Sequence, residues 1–196
     1  MKQRRVLWLL LVVAFLSGCW AGDIYVPPTL TPLSSPQPTA PLVPTIAAGQ
    51  GTVAVIVTER GTILCQLRPD VAPKTVANFA KLANEGFYDG RAFFRVEPGF
   101  VIQGGSPDDK ATGSVGYTIE AEINLPHTAG AIAMARTSDE VNPERRSDGS
   151  QFYITLAATP GLDGAYTVFG DCGASLDVVR QIQAGDKMLQ VRVETR

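Results

Sequence analysis

The chain has 196 residues, enough for one domain with a sizeable core plus extensions. Without Lys2, Arg4 and Arg5 of its first segment, 14 basic residues face 19 acidic ones, a net of −5, and no predicted element carries a basic stripe. That balance excludes a phosphate-backbone partner, and with it nucleic acid.

The first segment reads as an export signal. MKQRR is a positive n-region, and VLWLLLVVAFL, from Val6 to Leu16, is an apolar h-region. It falls short of the roughly 20 residues that span a bilayer as a helix. Leu16-Ser17-Gly18-Cys19 resembles the lipobox of bacterial lipoproteins, which are cut before the cysteine and lipidated on it. The resemblance implies a signal peptide over 1–18. It also implies acyl chains on Cys19 that hold an extracytoplasmic domain to a bacterial cell membrane.

Residues 19–50 read as the tether. The run VPPTLTPLSSPQPTAPLVPT holds seven of the fourteen prolines and has neither a helical nor an alternating apolar period. Such a composition buries too little surface to offset chain ordering, so an open, polyproline-II-like spacer is expected. At about 3.1 Å per residue, ~30 residues reach roughly 90 Å.

From residue 51 the character changes. TVAVIV (52–57) and TILCQL (62–67) flank TERG and read as a hairpin. Pro73 opens a helix, with Val76, Phe79, Ala80 and Ala83 at helical spacing and Gly86 where a left-handed cap stops it. FFRV and FVIQ flank Pro98-Gly99, and GAIAMA (130–135), QFYIT (151–155) and YTVFG (166–170) are further strands. SLDVVRQIQAG (175–185) places Leu176, Val179 and Ile182 on one helical face, and LQVRVE closes with the alternation of a half-buried strand. The expectation is a mainly β fold over 51–196, a closed eight-stranded antiparallel β-barrel capped by two α-helices. Cys65 and Cys172 lie in or beside predicted strands. Outside the cytoplasm a disulfide is permitted and a buried free thiol is also ordinary, so their pairing stays open.

Four segments follow in order: VAPKTVANFAKLANEGFYDG (71–90), FFRVEPGFVIQGG (93–105), HTAGAIAMA (127–135), and GSQFYI with LDGAYTVFG (149–170). In this order and spacing they resemble the cyclophilins, the barrel-shaped peptidyl-prolyl cis-trans isomerases. The resemblance covers nearly all of residues 51–196, and F-R-x-x-P-G-F-x-x-Q-G-G is its most specific motif. It implies X–Pro isomerisation on proline-containing peptides and unfolded exported proteins; a monomer is expected, though the sequence itself does not fix the oligomeric state.

The chemistry agrees with the residues. Turning an X–Pro amide crosses a barrier of about 18–20 kcal/mol, set by delocalisation of the nitrogen lone pair. No bond breaks, so no nucleophile, metal or cofactor is required. A donor aimed at the nitrogen of the twisted amide lowers the barrier, and a guanidinium is a permanent, rigid donor. By the resemblance, Arg95 is that catalytic arginine and Gln103 orients it. Phe100, Val101 (where many members have methionine), Tyr153 (for the usual phenylalanine), Leu162 and Tyr166 (for a histidine) line the prolyl pocket. Ala135 and Arg136 fall where an Ala-Asn pair bonds the peptide through main chain, and Gln151 is the second glutamine. His127 reads as structural. Gly161 stands where many eukaryotic members carry the tryptophan that contacts cyclosporin, so weak cyclosporin binding is expected. Residues 137–148 form a longer, more charged loop than the family's. The alternative function is a non-catalytic adapter or chaperone that binds proline peptides in the same groove; retention of Arg95 beside Phe100, Gln103 and Gln151 favours the enzyme.

Overall fold

The computed structural model describes residues 51–195; the expected signal peptide, Cys19 and the tether lie outside them. Strand β1 (Thr52–Thr58) turns through Glu59 and Arg60 into β2 (Gly61–Leu67) as the expected hairpin. Helix α1 (Pro73–Asn84) starts at its proline and buries Val76, Phe79, Leu82 and Ala83. It stops where Gly86 takes φ +77°, with the Phe87 N–H donating to Leu82 and the Gly86 N–H to Ala83, the paired closure of a Schellman cap.

Strand β3 (Arg95–Glu97) turns at Pro98-Gly99 into β4 (Val101–Gly104). There follow β5 (Thr118–Ile119), β6 (Ala131–Met134), β7 (Ser147–Asp148), β8 (Phe152–Thr155), β9 (Val168–Asp171), α2 (Leu176–Val179) and β10 (Met188–Thr195). Eight strands form one antiparallel sheet in the order β10-β1-β2-β9-β6-β8-β4-β3, and β5 pairs separately with β7.

The sheet curls into a half-barrel and does not close, which corrects the closed barrel expected from the sequence. Its end strands meet only at a corner. Ala92 bridges Lys187, and the Phe93 N–H donates to the Asp186 carbonyl at 2.9 Å just before β3 and β10 begin. The Pro98 turn then ends β3 after three residues, too short to build a second ladder.

Two further expectations change. The second helix is one turn long, because after Val179 the chain tightens into i→i−3 bonds (Gln181 to Val178, Ile182 to Val179). Val179 and Ile182 are still buried together, as their spacing predicted. In β10 the alternation breaks at Leu189: Val57 pairs with Gln190 and Thr58 with Met188, so Leu189 is bulged out and 51% exposed.

The sheet has two apolar faces. The inner one packs on α1, with Phe79 within 5.4 Å of the rings of Tyr88, Phe152 and Phe169. The outer one carries Val101, Ala131, Ala133, Tyr153 and Val168. Cys65 of β2 and Cys172 after β9 are buried and joined by a disulfide.

Candidate active site

The outer cluster opens into a cavity of about 220 Å³ lined by Arg95, Phe100, Val101, Gln103, Ala135, Arg136, Tyr153, Leu162 and Tyr166. Gln151, the remaining residue expected there, lines the adjoining cavity of about 600 Å³, which shares Arg95, Gln103, Ala135 and Arg136.

Register explains the convergence. Arg95, Gln103, Tyr153 and Ala133 lie directly opposite one another across β3, β4, β8 and β6, so they share the outer face. Gly105 follows Gln103 closely because the chain must turn at φ +83° where a Cβ would lie 2.6 Å from the Ser150 carbonyl.

A single hydrogen-bond chain crosses this face. Arg95 Nη1 donates to Gln103 Oε1 at 3.1 Å, and Gln103 Nε2 donates to Gln151 Oε1 at 3.1 Å. Gln151 Nε2 donates to the carbonyls of Gly113 (2.6 Å) and Ala111 (3.2 Å). A guanidinium only donates and a backbone carbonyl only accepts, so both amides have one possible orientation and the chain is polarised from Arg95 to Gly113. The Arg95 guanidinium also meets Glu97 at 3.4 Å and lies 5.9 Å from the Phe100 ring centre.

Arg136 is packed rather than solvated, its side chain 6% exposed. Its guanidinium lies 4.6 Å from the Tyr166 ring centre, donates to the Ala165 carbonyl at 2.7 Å and pairs with Asp139. Arg145 in turn binds Asp139 and donates to the Gly164 carbonyl at 2.6 Å. The charged loop over 137–148 is thereby fastened to the pocket wall over 164–166. Its last two residues form β7 rather than open loop. Ala135 lines the pocket with its own N–H donating to the Gln151 carbonyl and its C=O accepting from Asp148.

Asp163, which sequence reasoning missed, stands behind the wall beside His127, the histidine that reads as structural. Asp163 accepts from His127, and His127 meets the Tyr153 hydroxyl. The carbonyls of Ala111 and Gly113 also escaped notice, since a backbone acceptor leaves no mark on residue type.

An open half-barrel whose outer face sets a guanidinium at the rim of an apolar, ring-walled pocket is the scaffold of a proline-directed isomerase. The family model described as cyclophilin type peptidyl-prolyl cis-trans isomerase/CLD matches residues 52–195. A peptidyl-prolyl cis-trans isomerase of Synechococcus elongatus is 47% identical over 147 residues, covering 74% of this chain and 97% of the relative. Peptidyl-prolyl cis-trans isomerase B of Bacillus subtilis is 49% identical over 132 residues, covering 66% and 88%. Among solved structures, a Cryptosporidium parvum cyclophilin type isomerase, crystallised in the presence of the dipeptide Ala-Pro, superposes with a TM-score of 0.65 at 25% identity, covering 74% of this chain and 99% of that one. The chain belongs to the cyclophilin-type peptidyl-prolyl cis-trans isomerases, and its activity by that homology is the cis-trans isomerisation of X–Pro bonds.

Proposed function

We propose that the protein is an extracytoplasmic, lipid-anchored prolyl isomerase that speeds X–Pro steps in the folding of exported proteins. The observation that carries the catalytic part is the hydrogen-bond chain polarised from Arg95 to Gly113, which fixes a permanent donor at the rim of the prolyl pocket. The prolyl ring seats against Phe100, Val101, Tyr153, Leu162 and Tyr166. Arg95 then donates to the prolyl nitrogen as the amide twists and its lone pair localises. The planar ground state offers no such lone pair, so the interaction is made only at the top of the barrier. Because the main chain of Ala135 is engaged inside the protein, the main chain of Arg136 is the one that meets the peptide backbone.

The lipobox and the Cys65–Cys172 disulfide support the compartment, since structural disulfides persist outside the cytoplasm. Mass spectrometry of the mature N-terminus checks it: a diacylated or triacylated Cys19 is expected, and an unmodified Cys19 would refute the anchor. Exchange NMR on an Ala–Pro peptide separates enzyme from adapter. The enzyme gives cis–trans cross-peaks faster than free exchange, which takes tens to hundreds of seconds. An adapter gives shifted peptide resonances with no added exchange.

A further inference from the structure

Behind the pocket lies a buried histidine that the isomerase reading leaves unused. His127 sits on the loop before β6 with its side chain 0% exposed. Its ring is parallel to that of Tyr153 (6.0 Å, 7°) and meets Tyr166 edge-on (6.3 Å), while Tyr153 and Tyr166 are themselves edge-to-face (5.9 Å). Nε2 lies 2.9 Å from the Tyr153 hydroxyl, and Nδ1 lies 2.9 Å from Asp163 Oδ1. That same carboxylate oxygen accepts the His127 main-chain N–H at 2.7 Å, and the His127 carbonyl accepts the Thr159 N–H at 2.8 Å.

Chemistry orders these contacts. A carboxylate only accepts, so Nδ1 carries a proton, and in the neutral imidazole Nε2 then offers its lone pair to the Tyr153 hydroxyl. Burial pushes the Tyr153 hydroxyl far above the ordinary phenol range, so it stays protonated and donates. The main-chain and ring donors of His127 hold the Asp163 carboxyl below its usual value, so it stays an acceptor. His127 thus ties together three pocket walls that come from separate parts of the chain. Its ring holds Tyr153 on β8 and abuts Tyr166. Its main chain holds the 3₁₀ turn Pro160–Leu162 from both ends, through Thr159 and Asp163.

From this geometry we infer that His127 and Asp163 are positioning residues for the isomerisation, fixing the tilt of the Tyr153 ring and the height of Leu162 against the prolyl ring. Neither touches substrate. The inference rests on the isomerase reading of the pocket. Removing one partner of the Tyr153–His127 bond strands the other in a dry site, and the ring's outlet from that penalty is the pocket itself. A wall that moves into the pocket misplaces the amide relative to Arg95, and catalysis is sensitive to sub-ångström placement.

The test is a double-mutant cycle in the full-length protein, read as kcat and KM on an Ala–Pro peptide. Tyr153→Phe and His127→Phe each keep a ring and remove the bond. Each is expected to lower kcat/KM about fivefold, and the double variant to fall within about twofold of either single, because one bond is lost once. Fully multiplied losses would overturn the inference. Asp163→Asn covers the case in which His127→Phe does not fold, since Asp163 is 38% exposed. The asparagine carbonyl oxygen must keep accepting both the His127 main-chain N–H and Nδ1–H, but as a neutral and weaker acceptor it holds the imidazole less firmly, and the Tyr153 13Cζ resonance is expected to shift as its bond to Nε2 loosens. An unmoved resonance together with unchanged kcat would overturn the inference. A wild-type protein without catalysed exchange would sink the isomerase reading as well, and is told apart because it shows before any substitution.

Discussion

Arg95 is an ordinary strand residue whose partners give it direction. Opposite Gln103 in the β3–β4 register, its fork is aimed by two amides that have no freedom to flip, so the proposed mechanism leaves little reorganisation for the moment the amide twists. Arg136 shows the opposite use of the same side chain. It covers Tyr166 and braces the 137–148 loop, and so strengthens the pocket rim where the family has a shorter polar residue. These residues were legible because each stands in a motif, and motif order places it. The roles of His127 and Asp163 were not legible, because their pairing joins positions 36 residues apart with no spacing rule between them. Gly161 yields a prediction at this scale. It is exposed, and a Cβ built there meets nothing within 4 Å. Gly161→Trp is therefore expected to fold unchanged and to bind cyclosporin at least tenfold more tightly, about 1.4 kcal/mol, in a fluorescence titration. Equal affinity in both proteins would show that the ring is not what the site lacks.

Strands β4, β6 and β8 are buried on both faces, inward onto α1 and outward under the site. That is why VIQG, AIAM and FYIT read as strands in the sequence while the face of each residue could not be read: continuous apolarity hides the period of two. Helix α1 was legible to its caps because Pro73 and Gly86 punctuate a one-sided apolar stripe. The shortness of α2 was not, since the i→i−3 tightening after Val179 is imposed by docking of the chain rather than by propensity. Phe79 is the centre of the inner face, fully buried among three aromatic rings. Phe79→Ala is expected to destabilise the fold by about 3–5 kcal/mol in denaturant unfolding. A cost under about 1 kcal/mol would mean that the inner core repacks freely.

The half-barrel stays open, and its end strands are tied at a corner and by long-range contacts instead of a last ladder. Closure could not be read from strand count, since eight strands fit an open curl as well as a barrel. The Cys65–Cys172 bridge spans 107 residues. Replacing both cysteines by alanine is expected to cost about 2–4 kcal/mol, measured by chemical unfolding, with the isomerase site intact. Two carboxylates tie turns together around β10: Asp186, in the turn before it, pairs with Arg60 of the β1–β2 turn, and Asp89 pairs with Arg192 on β10. Hydrogen bonds from those arginines hold both carboxyls below their usual range. Folded values below unfolded ones mean that this stabilisation is full above the unfolded pKa of about 3.9 and is lost as pH falls through the folded values. The melting temperature is thus expected to be flat from about pH 7 to 5 and to drop below about pH 4, with Arg60→Gln reducing the drop.

The central claim is that a fixed guanidinium catalyses the turn, and the isomerisation rate of an Ala–Pro peptide with wild type and Arg95→Ala tests it most directly. The account predicts a loss of about 10²–10³-fold in kcat/KM with peptide affinity changed less than about threefold, because Arg95 acts on the twisted amide and not on the planar one. Retained catalysis in Arg95→Ala, or a loss carried wholly by weakened peptide binding, would contradict it.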